Sequence, residues 1–345
     1  MVNRCLPFLL SLAAAALAPA QVTSQTALAN NKILKQNWTV PRTPDGHPDL
    51  QGYWANNNAT PLERPKELAG RATLSDEEVA VMAKKAHELF GGNGDAAFGD
   101  NVYQAVLANV LGTQKGFKSA GGGTGDYSSV WTVERVWENR TSLITDPPDG
   151  RMPALTPGGE ERQAARRAVG THPASGPEDR SLSERCITYG SPQLTAGYQS
   201  YYHIVQAPRS VMLMTEMIHD ARVIPLDAGP HLPAAVHQWL GDSRGRWEGD
   251  TLVIDTTNYK PRAFMSISSE KLHVTERFSR VAPGTLKYEI TIDDPGTWTK
   301  PWSLMIPLRH SADPVYEYAC QEGNEGLAGI LAGARAEEQA AISGK

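Results

Sequence analysis

The sequence lacks a basic block. Lys and Arg total 33 against 38 Asp and Glu, giving a formal net charge of -5 over 345 residues. Nucleic-acid binding draws on clustered cations that displace counterions, so that function class is set aside. Beyond residues 6–17 no apolar run approaches the ~20 residues that a membrane helix needs. No Gly-x-Ser-x-Gly elbow marks a serine hydrolase. The glycines of 121–125 lack the preceding strand and following helix of a phosphate cradle, and they read as a loop. Cysteine is scarce, with three in the chain.

Gly (31) and Pro (24) are plentiful, together about a sixth of the chain. That balance favours short strands and many turns over a helical bundle. The first twenty residues have the pattern of a secretory signal: Arg4, the apolar run 6–17, then Ala18-Pro19-Ala20. The expectation is a secreted or periplasmic protein cleaved near Ala20. Cys5 lies in that signal, leaving Cys186 and Cys320. In an oxidising compartment an even pair predicts one disulfide, worth ~5 kcal/mol at most for so long a loop.

The expected organisation is a signal peptide at 1–20 and a loose segment at 21–40. A single β-barrel domain follows at 41–327, with helical and loop insertions at 74–125 and 156–186, then a tail at 328–345. Residues 74–90 form the clearest helix, with a Ser75–Glu78 capping box. A second helix starts at Pro157 and runs to about 169. Strands are expected at 130–136, on both sides of the turn at 146–150, and at 202–206, 211–217, 222–226, 251–257, 273–279, 286–292, 303–308 and 315–320. Residues 232–240 read as a short helical insert. Residues 241–259 form a hairpin whose charged first arm is anchored by Trp247. Sequential antiparallel strands with short links suggest a meander closed into a lipocalin-like barrel, or a two-sheet sandwich. Gly52-Tyr53-Trp54, opening a first strand, is a feature of lipocalin-like barrels.

A small barrel holds one ligand in its mouth. His203, His219, His231 and Arg244 are the candidate catalytic groups, since imidazole titrates near working pH and Arg orients an oxyanion. Trp247, Tyr202, Arg222, Glu216 and His273 are candidate substrate-binding groups. Glu216 and His219 have a metal-ligand spacing, but on a strand they fall on opposite faces. No metal and no cofactor is expected.

The blocks PRTPDGHPDLQGYW, RTSLITDPPDGRMP, GPEDRSLSERC and GDSRGRWEGDTLVIDTTNY, followed by LHVTERFSR and YEYAC, carry a resemblance. Across nearly the whole mature chain it resembles a family of exported proteins of soil bacteria such as acidobacteria and sphingomonads. That family has no established catalytic residues to carry over. Similar exported-type proteins occur in fungal natural-product clusters that join a quinone methide to a terpene by hetero-Diels–Alder addition. The resemblance implies a pocket that orients apolar reactants without metal or nucleotide. The expectation is an exported enzyme for an apolar or aromatic small molecule, of lyase, isomerase or cyclase type, acting by orientation and acid-base assistance. The alternatives are a non-catalytic small-ligand-binding protein and a structural envelope protein.

Overall fold

The computed structural model describes residues 38–91, 100–117, 135–169, 173–194, 196–227 and 229–344. The signal, the Gly-rich loop at 121–125 and most of the 130–136 strand lie outside these residues. Val40–Lys345 forms one unit. It is mainly β. Ten strands belong to one antiparallel sheet: β1 (Gly52–Ala55), β2 (Ile144–Asp146), β3 (Tyr201–Ala207), β4 (Ser210–Thr215), β5 (Ala221–Pro225), β6 (Asp242–Glu248), β7 (Thr251–Thr257), β8 (His273–Ala282), β9 (Thr285–Asp293) and β10 (Trp302–Ser311). Four α-helices accompany them among the described residues: α1 (Asp76–Phe90), α2 (Asn101–Val110), α3 (Pro157–Val169) and α4 (Glu325–Ser343). The capping box of α1 is present: Ser75 accepts from the Glu78 amide while Glu78 accepts from the Ser75 amide.

Period-two alternation builds the sheet. In β9, Leu286, Tyr288, Ile290 and Ile292 are fully buried, while Lys287, Glu289 and Thr291 turn outward. The same inner face continues through Val274 and Phe278 of β8, Leu252 and Ile254 of β7, and Ile204 of β3. Residues 41–51 fill one end of this core. Leu50 is completely buried, Trp54 donates from Nε1 to the Leu50 carbonyl at 2.9 Å, and Arg280 donates to the Asp49 carbonyl at 2.7 Å. The Arg280 guanidinium also lies over the Trp54 ring at 5.5 Å.

The strand order is β5-β4-β3-β1-β10-β9-β8-β7-β6, with β2 beside β10. The sheet is not closed, so the expected barrel is not obtained as a continuous ladder. Nine strands joined by antiparallel pairings leave the first and last pointing the same way, and a short link cannot join parallel neighbours. The chain instead takes residues 226–241 as a crossover. The predicted helix at 232–240 is absent there; the segment is turn and irregular structure. The two edges nevertheless meet through side chains. Arg222 Nη1 of β5 lies 3.4 Å from Ser243 Oγ of β6. A Cβ on Gly245 would fall 2.6 Å from Leu226 Cδ2 and 3.0 Å from Ile224 Cγ2.

Two other expectations need correction. Residues 315–320 are not a strand; β1 takes the place beside β10 instead. The arm after the 146–150 turn is not a strand either, since only β2 precedes it. The tail is helical, as α4.

Helix α3 supplies a stability test. A Cβ at Gly159 would lie 2.4 Å from the Thr297 carbonyl oxygen, a backbone atom that cannot swing aside. At Gly158 the nearest atoms are 3.5 Å away, ordinary contact. Helix propensity alone makes both Gly→Ala changes stabilising by about 0.5–1 kcal/mol. Gly158→Ala is expected to follow that rule. Gly159→Ala is expected to lose about 1–3 kcal/mol by overpacking. Urea denaturation of both variants checks the opposite signs.

Candidate functional site

The predicted site residues fall in five places. Tyr202 and Arg222 enter the sheet interior. His231, Arg244 and His273 gather on the outer face of β6–β8. Glu216 and His219 lie with the disulfide. His203 stands on the outer face of β3, and Trp247 packs at the end filled by residues 41–51.

The interior group is the most buried. Arg222 reaches from edge strand β5 to Glu276 of β8 with two hydrogen bonds, Nη1 to Oε2 at 2.6 Å and Nη2 to Oε1 at 2.8 Å. The Glu276 side chain is fully buried and that of Arg222 is 8% exposed. The Tyr288 hydroxyl donates to Glu276 Oε1, and the Tyr202 hydroxyl donates to the Gln193 carbonyl. Burial pulls the Arg222 guanidinium down, but the Glu276 carboxylate outweighs it, so Arg222 titrates above the usual arginine value. Burial, then the Glu276 charge, pushes the Tyr202 and Tyr288 phenols well above the ordinary tyrosine value. Both remain proton donors.

This group borders a cavity of about 10 Å³, room for a single water. Tyr202, Thr215, Asp220, Arg222, Tyr288 and Gln193 are among its walls. Gln193 is 3% exposed, and neither its Oε1 nor its Nε2 has a partner among the described residues. Asp220 accepts from Thr188 Oγ1 at 2.7 Å and from the Tyr189 amide at 2.8 Å. Burial nevertheless raises its carboxyl above the usual range.

The outer group is a chain of hydrogen bonds under the crossover. His231 spans two carboxylates, Nδ1 to Asp242 Oδ2 at 3.0 Å and Nε2 to Asp255 Oδ1 at 2.8 Å. His273 Nε2 meets Asp255 Oδ2 at 2.6 Å. Arg244 donates to the Pro230 carbonyl at 3.0 Å and pairs with Asp242 at 3.4 Å. These bonds pin residues 230–232 to the sheet. The hydrogen bond from His273, ahead of that from His231, holds the Asp255 carboxyl down at about 2, against the opposing effect of burial. The same bond, together with the Asp255 charge, raises His273 above its ordinary value.

The raised His273 stabilises the fold fully below the unfolded histidine pKa of ~6.5, and this contribution fades as pH rises through the higher folded value. Asp255 contributes fully above the unfolded carboxyl value of ~3.9 and loses its contribution as pH falls through about 2. The support is thus greatest between pH ~4 and ~6.5. His273→Asn is expected to flatten the alkaline limb of a stability–pH profile measured by thermal melting. A wild-type limb retained in that variant would remove His273 as its source.

Near the disulfide, Cys186–Cys320, residues 315–320 are strapped to the sheet. The Tyr316 amide donates to Glu216 Oε1 at 2.9 Å, and the Tyr318 amide to His219 Nδ1 at 3.1 Å. Burial raises the Glu216 carboxyl despite the Tyr316 amide. Cys186, Ile218 and His219 all carry positive φ and border an open recess of about 380 Å³. His219 thus holds a strap in place.

Trp247 lies on the inner face of β6 and stacks on His47, ring centroids 4.6 Å apart. It anchors the plug of residues 41–51 instead of guarding an opening. Its charged neighbours pair across the outer surface: Arg246 and Arg277 with Glu248, Arg42 with Asp250. Among the described residues, no group of three or more His, Cys, Asp or Glu side chains is placed to hold a metal ion.

Sequence reasoning missed Tyr288, Gln193 and Asp255. Tyr288 is signalled only by its place in the inward row of β9. Asp255 is signalled by its outward position in an alternating strand. Nothing local marks Gln193. Comparison with protein-family models, with curated proteins and with solved structures finds no match.

Proposed function

We propose that this chain is an exported small-molecule protein working through the chamber bordered by Arg222, Tyr288, Tyr202, Asp220 and Gln193, with Glu276 behind Arg222. It holds a small organic molecule there and assists its chemistry by orientation and proton donation, in the manner of a lyase, isomerase or cyclase. The sheet acts as an incomplete barrel whose walls orient the ligand's apolar part.

One observation carries the reading. The Gln193 amide is buried with donor and acceptor both unused, in a residue that lines the cavity together with Arg222, Tyr202 and Tyr288. An unsatisfied buried polar group costs about 1–3 kcal/mol. A ligand offering a matching donor and acceptor recovers that cost on binding. The cavity of about 10 Å³ is too small for an organic ligand, so binding requires residues 187–194 to shift. The phenols and the Asp220 carboxyl, kept protonated to higher pH by burial, supply acid groups at its wall.

The test is Gln193→Leu. Removing the orphan amide is expected to raise unfolding stability by about 1 kcal/mol. The same change is expected to abolish retention of a host-extract molecule in native mass spectrometry. A variant that retains what the wild type retains would overturn the reading. So would a wild type that retains nothing specifically, and the structural-envelope function would then stand.

A further inference from the structure

The outer face of the sheet has two chemistries. Over β6–β9 it is charged, with Arg244, Asp255, Arg277, Lys287 and Glu289 along it. Over β3–β5 it carries His203, Val205, Met212, Met214, Ala221 and Val223, with no charged side chain in that set. Val223 is 69% exposed and Val205 38%. Met212 and Met214 are half-buried, and neither belongs to the side chains packed on the core.

The register brings three of these side chains together. His203 of β3 is directly opposite Met214 of β4, and Met212 is two residues along on the same face. Opposed side chains in an antiparallel pair have Cβ atoms about 4.5–5.5 Å apart, and the diagonal neighbour about 7–8 Å. The unbranched methionines and the imidazole can converge on one atom from those positions. Neither His203 ring nitrogen has a hydrogen-bond partner among the described residues, but the Tyr53 ring packs against the imidazole, centroids 4.4 Å apart and planes tilted by 30°.

Two thioethers and one imidazole form a soft donor set without carboxylate or thiolate. Such a set discriminates against Mg²⁺, Ca²⁺ and Zn²⁺ and suits a soft monovalent ion. We infer that His203, Met212 and Met214 form a surface site for Cu(I), distinct from the interior chamber. The ion would lie over the β3–β4 pair, with Tyr53 backing the imidazole.

The full chain is titrated with Cu(I) under argon against bicinchoninate, and separately with Zn²⁺. One Cu(I) per chain is expected, with no comparable uptake of Zn²⁺. The double variant Met212→Leu/Met214→Leu keeps side-chain volume. It is expected to weaken Cu(I) by at least the roughly 10–100-fold that outer-shell losses cost. His203→Gln is expected to weaken it similarly. Methyl NMR of the unmutated chain with Ag(I), a redox-inert analogue, keeps the test independent of variant folding. Among the methionine signals, only those of Met212 and Met214 are expected to move. Equal Cu(I) uptake by the double variant, Zn²⁺ binding as tight as Cu(I), or Ag(I) shifts at other methionines would overturn the assignment.

Discussion

Replacing Glu276 by Gln is expected to cost about 3–5 kcal/mol of unfolding free energy, among the largest single-residue losses in this chain. The carboxylate is completely buried and takes both terminal nitrogens of Arg222. Removing its charge leaves a guanidinium inside the sheet with no counter-ion, and desolvation of that cation is no longer offset. The Tyr288 hydroxyl also loses its charged acceptor. Arg222→Met combined with Glu276→Leu removes both charges at similar volume. That pair is expected to recover most of the loss, since apolar replacement of a buried ion pair is often neutral or stabilising. Urea unfolding of the two singles and the double gives the coupling directly. A loss below about 1 kcal/mol for Glu276→Gln, the worth of an ordinary hydrogen bond, would show that the pair is not held in a dry interior. The double variant serves function as well. It is expected to fold yet lose the retained small molecule, which separates the role of the pair in stability from its role in the chamber.

Removing the Cys186–Cys320 link by a double Cys→Ser change is expected to cost about 2–5 kcal/mol. The sequence separation of 134 makes the loop long, so the cross-link constrains much of the unfolded chain. The native state loses something as well. Residues 315–320 have no ladder, and besides the disulfide they are held by the Tyr316 and Tyr318 amides on Glu216 and His219. Limited proteolysis is expected to cut the double variant between 312 and 324 sooner than the wild type. Unchanged melting and an unchanged cleavage pattern would show that the strap stands without the bond.

Most strands were legible because inward and outward residues alternate, as in Leu286, Tyr288, Ile290 and Ile292 of β9. The same signal misled at 315–320, where VYEYAC alternates too. There the amides are claimed by Glu216 and His219, so local pattern and tertiary demand disagree. Residues 232–240 were misread as a helix because apolar residues recur at suitable spacing. The parity of the sheet calls for a crossover at that point, and parity is invisible until the full strand order is known. Arg222 and Tyr202 were singled out from the sequence, and the structure brings both into the sheet interior. The partner of Arg222 lies 54 residues away on a strand that is not its neighbour, so no local motif encodes the pair. His231, Arg244 and His273 do converge, but around Asp255, which the sequence presents as the one charged residue of its strand.

The uneven strand number also decides where the wall of the molecule is thinnest. Every other boundary in the circuit is laced by peptide hydrogen bonds. Between β5 and β6 no backbone ladder joins the two edges among the described residues, and side chains alone close the gap. Along that seam Ile224 and Leu226 pack against Gly245, and Arg222 reaches Ser243. A visitor arriving along this suture would part side chains but sever no rung of the sheet.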